Sequence, residues 1–436
     1  MTRKVHVLLP DAVVCRAVVD SAREAGIPDR HIHVIGSHYT PLEGLPEAGL
    51  ADRSEFTRGL ELGLGVGGVA GLLGGLLAVT FPPAGLVLGG GAVLASTLVG
   101  ALVDGDGNPL TTVTIAGLDN DAQFSHPAVI FDGANYLVVF QTLGEIHGRF
   151  IQPAGTPNGD AFILSTGSSN WQPVLAFDGA RALVAWAKHN GTDYDIYGAF
   201  VDNIGPDTSE FPLVNDSSGQ DEPAIAFDGV NYLVLYRNYT TLPESEYGDI
   251  YGRRFNINGV GLAPSPMPVC TAAHGQGAPQ LAFDGVNFFA VWVDLRNSQY
   301  DIYGSGIDTA GTILDGPTNT GGIAINTRAG ILRAYPAVCF DGTNYLVTWS
   351  AGDPGGTPAS LLNSGIFANR VSPTGTLVDA TATDLGIPIS EPPLAANQYI
   401  YPVVYSGATH SLLTWVDNTE VMGTTKNLRS AMIWPF

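Results

Sequence analysis

Apolar and polar positions follow a pattern that recurs down the last three quarters of the chain. Its clearest copy is Pro336-Ala-Val-Cys-Phe-Asp-Gly-Thr-Asn-Tyr-Leu-Val-Thr-Trp349, two short apolar runs joined by a tight polar turn. Further copies begin at Pro127, Pro173, Pro223 and Pro279, with a degenerate one at Pro402. In the first five copies an Asp follows the Pro by five residues. In all six an aromatic follows it by thirteen: Phe140, Trp186, Tyr236, Trp292, Trp349 and Trp415. Such constancy marks a repeat. Each copy predicts a β-hairpin in which Pro opens the first strand, Asp-Gly makes the turn, and the Tyr-Leu-Val-x-Trp run is a buried second strand. A third strand follows, seen as Ile146-His-Gly, Ile196-Tyr-Gly, Ile250-Tyr-Gly, Ile302-Tyr-Gly and Ile366-Phe-Ala. A Gly- or Pro-bearing turn then leads to a fourth, more variable strand.

Four antiparallel strands per repeat predict a propeller blade. Residues 104–436 resemble bacterial six-bladed β-propeller repeat domains, and the resemblance implies a ring of six blades. Thr111-Thr-Val-Thr-Ile-Ala116 precedes the first repeat and is expected to complete the sixth blade, tying the ends of the ring together. The tail, Asn427-Leu-Arg-Ser-Ala-Met-Ile-Trp-Pro-Phe436, reads as the third strand of the last repeat. An alternative register makes Glu420-Val-Met-Gly423 that third strand and the tail the fourth.

The first quarter has a different pattern. Val5-His-Val-Leu-Leu9 and His31-Ile-His-Val-Ile35 predict strands. Between them Asp11 caps a helix with Val14, Ala17, Val18, Ala22 and Ala25 at helical spacing, stopped by Gly26 and Pro28. Residues 1–58 thus predict a β-α-β unit. From Leu62 to Val103 there is no charged residue, and Pro82-Pro83 divides this stretch into two segments, each long enough to cross a bilayer as a helix. Gly63, Gly67, Gly71 and Gly75 recur every fourth residue, the spacing that lets helices pack closely in lipid. Residues 59–103 therefore predict a glycine-zipper helical hairpin. Gly63-Leu-Gly-Val-Gly-Gly68 also fits a dinucleotide-binding pattern, but no strand runs into it. These features resemble a family of uncharacterised bacterial membrane-associated proteins, which pair a ferredoxin-like α/β domain with an inserted glycine-zipper hairpin. The second half of that α/β domain is missing here.

Composition narrows the function. The net charge of −22 excludes nucleic acid as a partner, because phosphate binding requires clustered Lys and Arg. Cys15, Cys270 and Cys339 are too far apart in sequence for a zinc site or a disulfide framework. His31 and His33 share a strand face without a third ligand. Asp104-Gly-Asp-Gly-Asn108 begins like a calcium loop but lacks the closing acid. No metal site and no cofactor are expected. The N-terminus does not read as a cleavable signal peptide, and no strong catalytic motif is present.

The best candidate ligand site is Asp294-Leu-Arg-Asn-Ser-Gln-Tyr-Asp301, between the second and third strands of the fourth repeat. Asp294, Arg296 and Asp301 are its charged members, and Asp195 and Asp249 hold the place of Asp301 in the second and third repeats. Recurring Asp at this place also predicts a loop cap made to backbone amides. The expected fold is thus mainly β: a six-bladed β-propeller behind a small β-α-β unit and a glycine-rich helical hairpin. The expected role is a membrane-attached binding or scaffolding module of the bacterial inner membrane. The membrane would be its partner through 62–103, with a protein or a glycan on the propeller face. The alternatives are a glycan-active hydrolase or lyase using paired carboxylates, and a homo-oligomer assembled through glycine-zipper helices.

Overall fold

The computed structural model describes residues 76–81, 84–89, 97–104, 109–117, 124–167, 169–240, 248–352, 364–390, 399–406, 411–417 and 427–433. These residues form strands and turns, with no α-helix. The chain divides into two compact units, 1–67 and 68–436, and the described residues all belong to the second. The β-α-β reading of 1–58 lies outside them, as do Gly63, Gly67, Gly71 and Gly75.

Among the described residues seven antiparallel sheets succeed one another: 76–117, 124–163, 170–214, 219–270, 276–326, 332–388 and 399–433. The six repeats occupy the second to seventh. The first strand of each sheet is an end strand: Leu76–Phe81, Phe124–Phe131, Asn170–Phe177, Gly219–Phe227, Gln276–Phe283, Leu332–Phe340 and Tyr399–Ser406. Each of these packs on its counterpart in the next sheet, and the last packs on the first. The sheets therefore close into a β-propeller whose axis is enclosed by seven inner strands, an arrangement that leaves only short, protected edges.

Three expectations are corrected. The ring has seven sheets, where the repeat count predicted six blades. The strand predicted at 111–116 exists, as Pro109–Gly117, but it pairs with Thr97–Asp104 in the register Leu98↔Ala116 and Gly100↔Val113. It completes its own sheet, not that of the last repeat. The helical hairpin is likewise replaced over its described part, where Leu76–Phe81, Ala84–Gly89 and Thr97–Asp104 are strands of the first sheet. Each glycine in a helix interior costs about 1 kcal/mol relative to Ala. A sheet seated between the first and last repeats gains edge pairing and burial: Leu98, Leu102, Val113 and Ile115 enter the core with Tyr136, Val138 and Phe140 of the neighbouring sheet. Among the described residues no helix is long and apolar enough to cross a membrane, and 76–81, 84–89 and 97–104 of the predicted spanning pair are strands.

The repeated residues build this scaffold. Phe140, Trp186, Tyr236, Trp292, Trp349 and Trp415 are all buried between sheets. Each Asp-Gly turn works as predicted: the Asp132, Asp178, Asp228, Asp284 and Asp341 carboxylates each accept two backbone N–H bonds, from residues two and three further on, at 2.6–2.8 Å. The following Gly takes φ near +95°, as at Gly133 (96°) and Gly285 (96°). Tyrosines after the turn tie sheets together. Tyr345 Oη donates to Asn287 O of the preceding sheet at 3.0 Å, and Tyr232 Oη to Arg181 O at 3.4 Å.

The proline does not open its strand. The inner strands begin three to four residues earlier, and the ladder register shifts at the proline in all six repeats, for example between Asp221↔Arg237 and Ala224↔Leu235. In four of the repeats the residue before the proline has a left-handed backbone: Gln172 (φ 53°), Glu222 (51°), Ala278 (50°) and Tyr335 (54°). Proline is tolerated there because a bulge needs no ladder donor.

Candidate functional site

The loops joining second to third strands, and those joining one sheet to the next, gather at the same ends of the strands. On this face the predicted site residues are found. Asp294 and Asp301 end the facing strands Asn287–Asp294 and Asp301–Asp308 and are cross-strand partners. Both are fully buried.

Asp294 is held chiefly from within its own sheet. Its Oδ1 accepts from Arg296 N and Nε, each at 2.9 Å, and its Oδ2 from Arg296 Nη2 at 2.7 Å and Trp292 Nε1 at 2.9 Å. The Cys270 thiol also donates to Oδ2, at 3.6 Å. Burial first, then the Asp294 charge, pushes that thiol up to about 12, so it stays protonated. Arg296 donates further to Gly321 O at 2.8 Å and lies over the Tyr303 ring at 4.1 Å. Asp294 thus caps the loop through Arg296 N, and the Arg296 side chain is spent on the loop.

Asp301 is held from three directions. Asn297 Nδ2 donates to it at 2.8 Å and Gln299 Nε2 at 2.9 Å, and Arg333 Nη1 of the next inner strand donates at 3.1 Å. Arg333 also binds the Tyr300 and Ile331 carbonyls at 3.1 and 3.0 Å, the Arg328 carbonyl and Asn326 Oδ1. Both members of this ion pair are wholly enclosed. Burial raises the Asp301 carboxyl and lowers Arg333 to about 10, and their mutual attraction offsets part of each shift. Asp301 makes no backbone cap; its partners are side chains, which corrects the loop-cap expectation at this residue.

Arg333 stands three residues before Pro336, and the same place in other repeats does the same work. Asn170 Nδ2 donates to Gly144 O at 2.9 Å, and Gln276 N to Gly248 O at 2.7 Å. These three inner strands thereby pin the loop of the sheet before them. Asp195 accepts from Asn190 Nδ2 at 2.9 Å, and its carboxyl is raised by burial, as is that of Asp249. Asp195 and Asp249 sit on the third and fourth sheets, one per sheet. The structure brings Asp294, Arg296 and Asp301 into one network and leaves these two on sheets of their own.

A second polar cluster escaped the sequence reading. Arg237 grips Asp221 with two parallel bonds, Nε–Oδ1 at 2.8 Å and Nη2–Oδ2 at 2.6 Å, and lies 3.5 Å from Glu222 Oε2. Glu222 Oε2 also accepts from Ala278 N of the next sheet at 2.6 Å. Burial alone would lower the Arg237 pKa, but the two carboxylates outweigh it and hold the guanidinium above its usual range. A signal was present. Arg237 breaks an apolar strand, and Asp221-Glu222 precedes a repeat proline where the other copies carry unrelated residues.

Among the described residues no group of three or more His, Cys, Asp or Glu is arranged to hold a metal ion. No protein-family model and no curated protein matches the chain. Solved structures do resemble it. One is assigned as TolB from Agrobacterium tumefaciens (15% identity, 62% of this chain and 83% of that one, TM-score 0.39). Another is a GH43 endo-arabinanase from Bacillus licheniformis (13%, 58% and 96%, 0.34). A third is a puromycin-hydrolyzing peptidase from Mycobacterium tuberculosis (12%, 81% and 53%, 0.49). At such identities and TM-scores these likenesses carry nothing about substrate or activity.

Proposed function

We propose that the chain is a binding module that presents the loop-bearing face of its propeller to a partner, without chemistry of its own. One observation carries this reading: three carboxylates of that face are each matched by a guanidinium. Asp294 is matched by Arg296, Asp301 by Arg333, and Asp221 by Arg237. A glycosidase requires one carboxylic acid that can donate a proton and a second carboxylate free to attack or to activate water. Asp221 and Glu222 are adjacent, but a single guanidinium holds both. What such a network supplies is a preformed surface, whose ordering cost is met in folding rather than in binding.

The test is to immobilise the full-length chain and pass over it polysaccharide and protein fractions, measuring both retention and chemical change. Saturable retention of a fraction that elutes intact is expected. Release of new reducing or unsaturated ends, abolished by E222Q, would overturn the reading in favour of the hydrolase or lyase.

A further inference from the structure

Asn190-Gly191-Thr192-Asp193 joins the second strand of the third sheet, Ala182–His189, to its third, Tyr194–Asp202. Its bonding is that of the repeat Asp-Gly turns. Asn190 N donates to Asp193 O at 2.9 Å, as Asp132 N does to Asn135 O. Asn190 Oδ1 accepts from Thr192 N at 2.9 Å and Asp193 N at 3.1 Å, two and three residues further on. Two contacts set this turn apart. Gly191 N donates to His189 Nδ1 at 3.1 Å, whereas Phe precedes the Asp of all five repeat turns and has no lone pair to accept with. Asn190 Nδ2 donates to Asp193 Oδ1 at 2.6 Å and to Asp195 Oδ2 at 2.9 Å.

An asparagine followed by glycine loses its side-chain amide when the glycine nitrogen attacks the side-chain carbonyl carbon, an approach that no Cβ obstructs. Each part of that reaction has a group beside it here. The attacking nitrogen must give up its proton, and it already donates that proton to an imidazole. Negative charge develops on Oδ1 as Cγ becomes tetrahedral, and two backbone N–H groups are directed at that oxygen. The leaving nitrogen must gain a proton, and it rests on two carboxyls, one of which, Asp195, is buried and thereby raised. Asn190, Gly191 and Thr192 are exposed, so ammonia can leave and water can enter.

We infer that Asn190 is a self-modification site, at which the folded chain deamidates itself with His189 as the base. The bond between Gly191 N and Asn190 Cγ forms as the Gly191 proton passes to His189 Nδ1. The Cγ–Nδ2 bond breaks as Nδ2 takes a proton from the Asp195 carboxyl and departs as ammonia. The proton on His189 returns to the Asp195 carboxylate through solvent. Water then opens the cyclic imide at either carbonyl, leaving an aspartyl or an isoaspartyl residue at position 190. An aspartyl product keeps both backbone caps, as Asp132 and its counterparts do. It has no donor for Asp193 and Asp195 and sets a third carboxylate against them. The result is a one-way change of charge in a loop on the face that also carries Asp294 and Asp301.

Two further Asn-Gly pairs, Asn158-Gly159 and Asn258-Gly259, follow Pro157 and Ile257 and serve as controls within the same chain. Gly259 N donates to the Asn256 carbonyl at 2.9 Å, which is no base. The experiment incubates the full-length chain at neutral pH, folded and in urea, and follows deamidation at positions 158, 190 and 258 by peptide mass. In urea the three positions should react at similar rates. In the folded chain position 190 should lead both controls by about tenfold or more, and H189Q should abolish that lead. A lead at 190 no larger in the folded chain than in urea would overturn the inference. So would a folded H189Q chain, its melting temperature checked, that reacts at 190 as fast as wild type. Should H189Q fail to fold, the wild-type comparison of folded with unfolded chain decides alone.

Discussion

At the residue scale the central finding is Arg333. A guanidinium with no solvent exposure is tolerable only because Asp301, Asn326 and three carbonyls surround it. Removing the charge by R333M strands Asp301 in the interior and should cost about 3–5 kcal/mol, measured by urea denaturation. The double variant R333M/D301L should recover much of that loss, since it buries no lone charge. Titration gives a second prediction. Burial raises the carboxyls of Asp195, Asp249 and Asp301, so folding favours the neutral acid at each. Their contribution to stability is complete below the ordinary carboxylate range and is lost as pH rises through the raised folded values. D249N should therefore match wild type in melting temperature in strong acid and exceed it near neutrality. A higher wild-type melting temperature at neutral pH would contradict the assignment.

At the scale of the element, the hairpin repeat was legible in the sequence and the bulge within it was not. The Asp-Gly turn and the buried aromatic are local chemistry: positive φ at Gly133 or Gly285 and an apolar run around Trp292 can be read from neighbours alone. From sequence alone Pro336 predicts a strand opening, because proline lacks a ladder donor. A bulge answers the same need, and only the register Ala334↔Ser350 followed by Ala337↔Thr348 distinguishes the two. The candidate loop was found at Asp294–Asp301 because its residues are contiguous, whereas Arg333 reaches Asp301 from the next sheet, a contact with no local signal. Two variants test the elements. Gly386 has φ of 90°, and a Cβ there would lie 2.7 Å from Trp349 Cζ2, so G386A should destabilise by more than the roughly 1–2 kcal/mol of its backbone alone, read from the denaturation midpoint. Y345F removes the tie to Asn287 O and should cost about 1 kcal/mol, in the same measurement.

At the scale of the molecule, the account depends on a closed ring of seven sheets. Counting repeats reveals six, because the first sheet carries neither the Pro-to-Asp spacing nor the aromatic. Its first three strands come almost wholly from a charge-free, glycine-rich segment whose composition suits a membrane helix equally well. What decides between them is non-local: Leu76–Phe81 lies between Phe124–Phe131 and Tyr399–Ser406, and Leu98 and Ala116 meet in the core beside Tyr136. The direct measurement is a cross-link between Leu98 and Ala116, which are paired in the register of the first sheet. In the full-length L98C/A116C variant, mild oxidation should form a disulfide between these two positions, mapped by peptide mass, with cooperative unfolding retained. If the two thiols stay unlinked while the chain remains folded, then 97–104 does not pair with 109–117, and the seven-sheet ring is wrong.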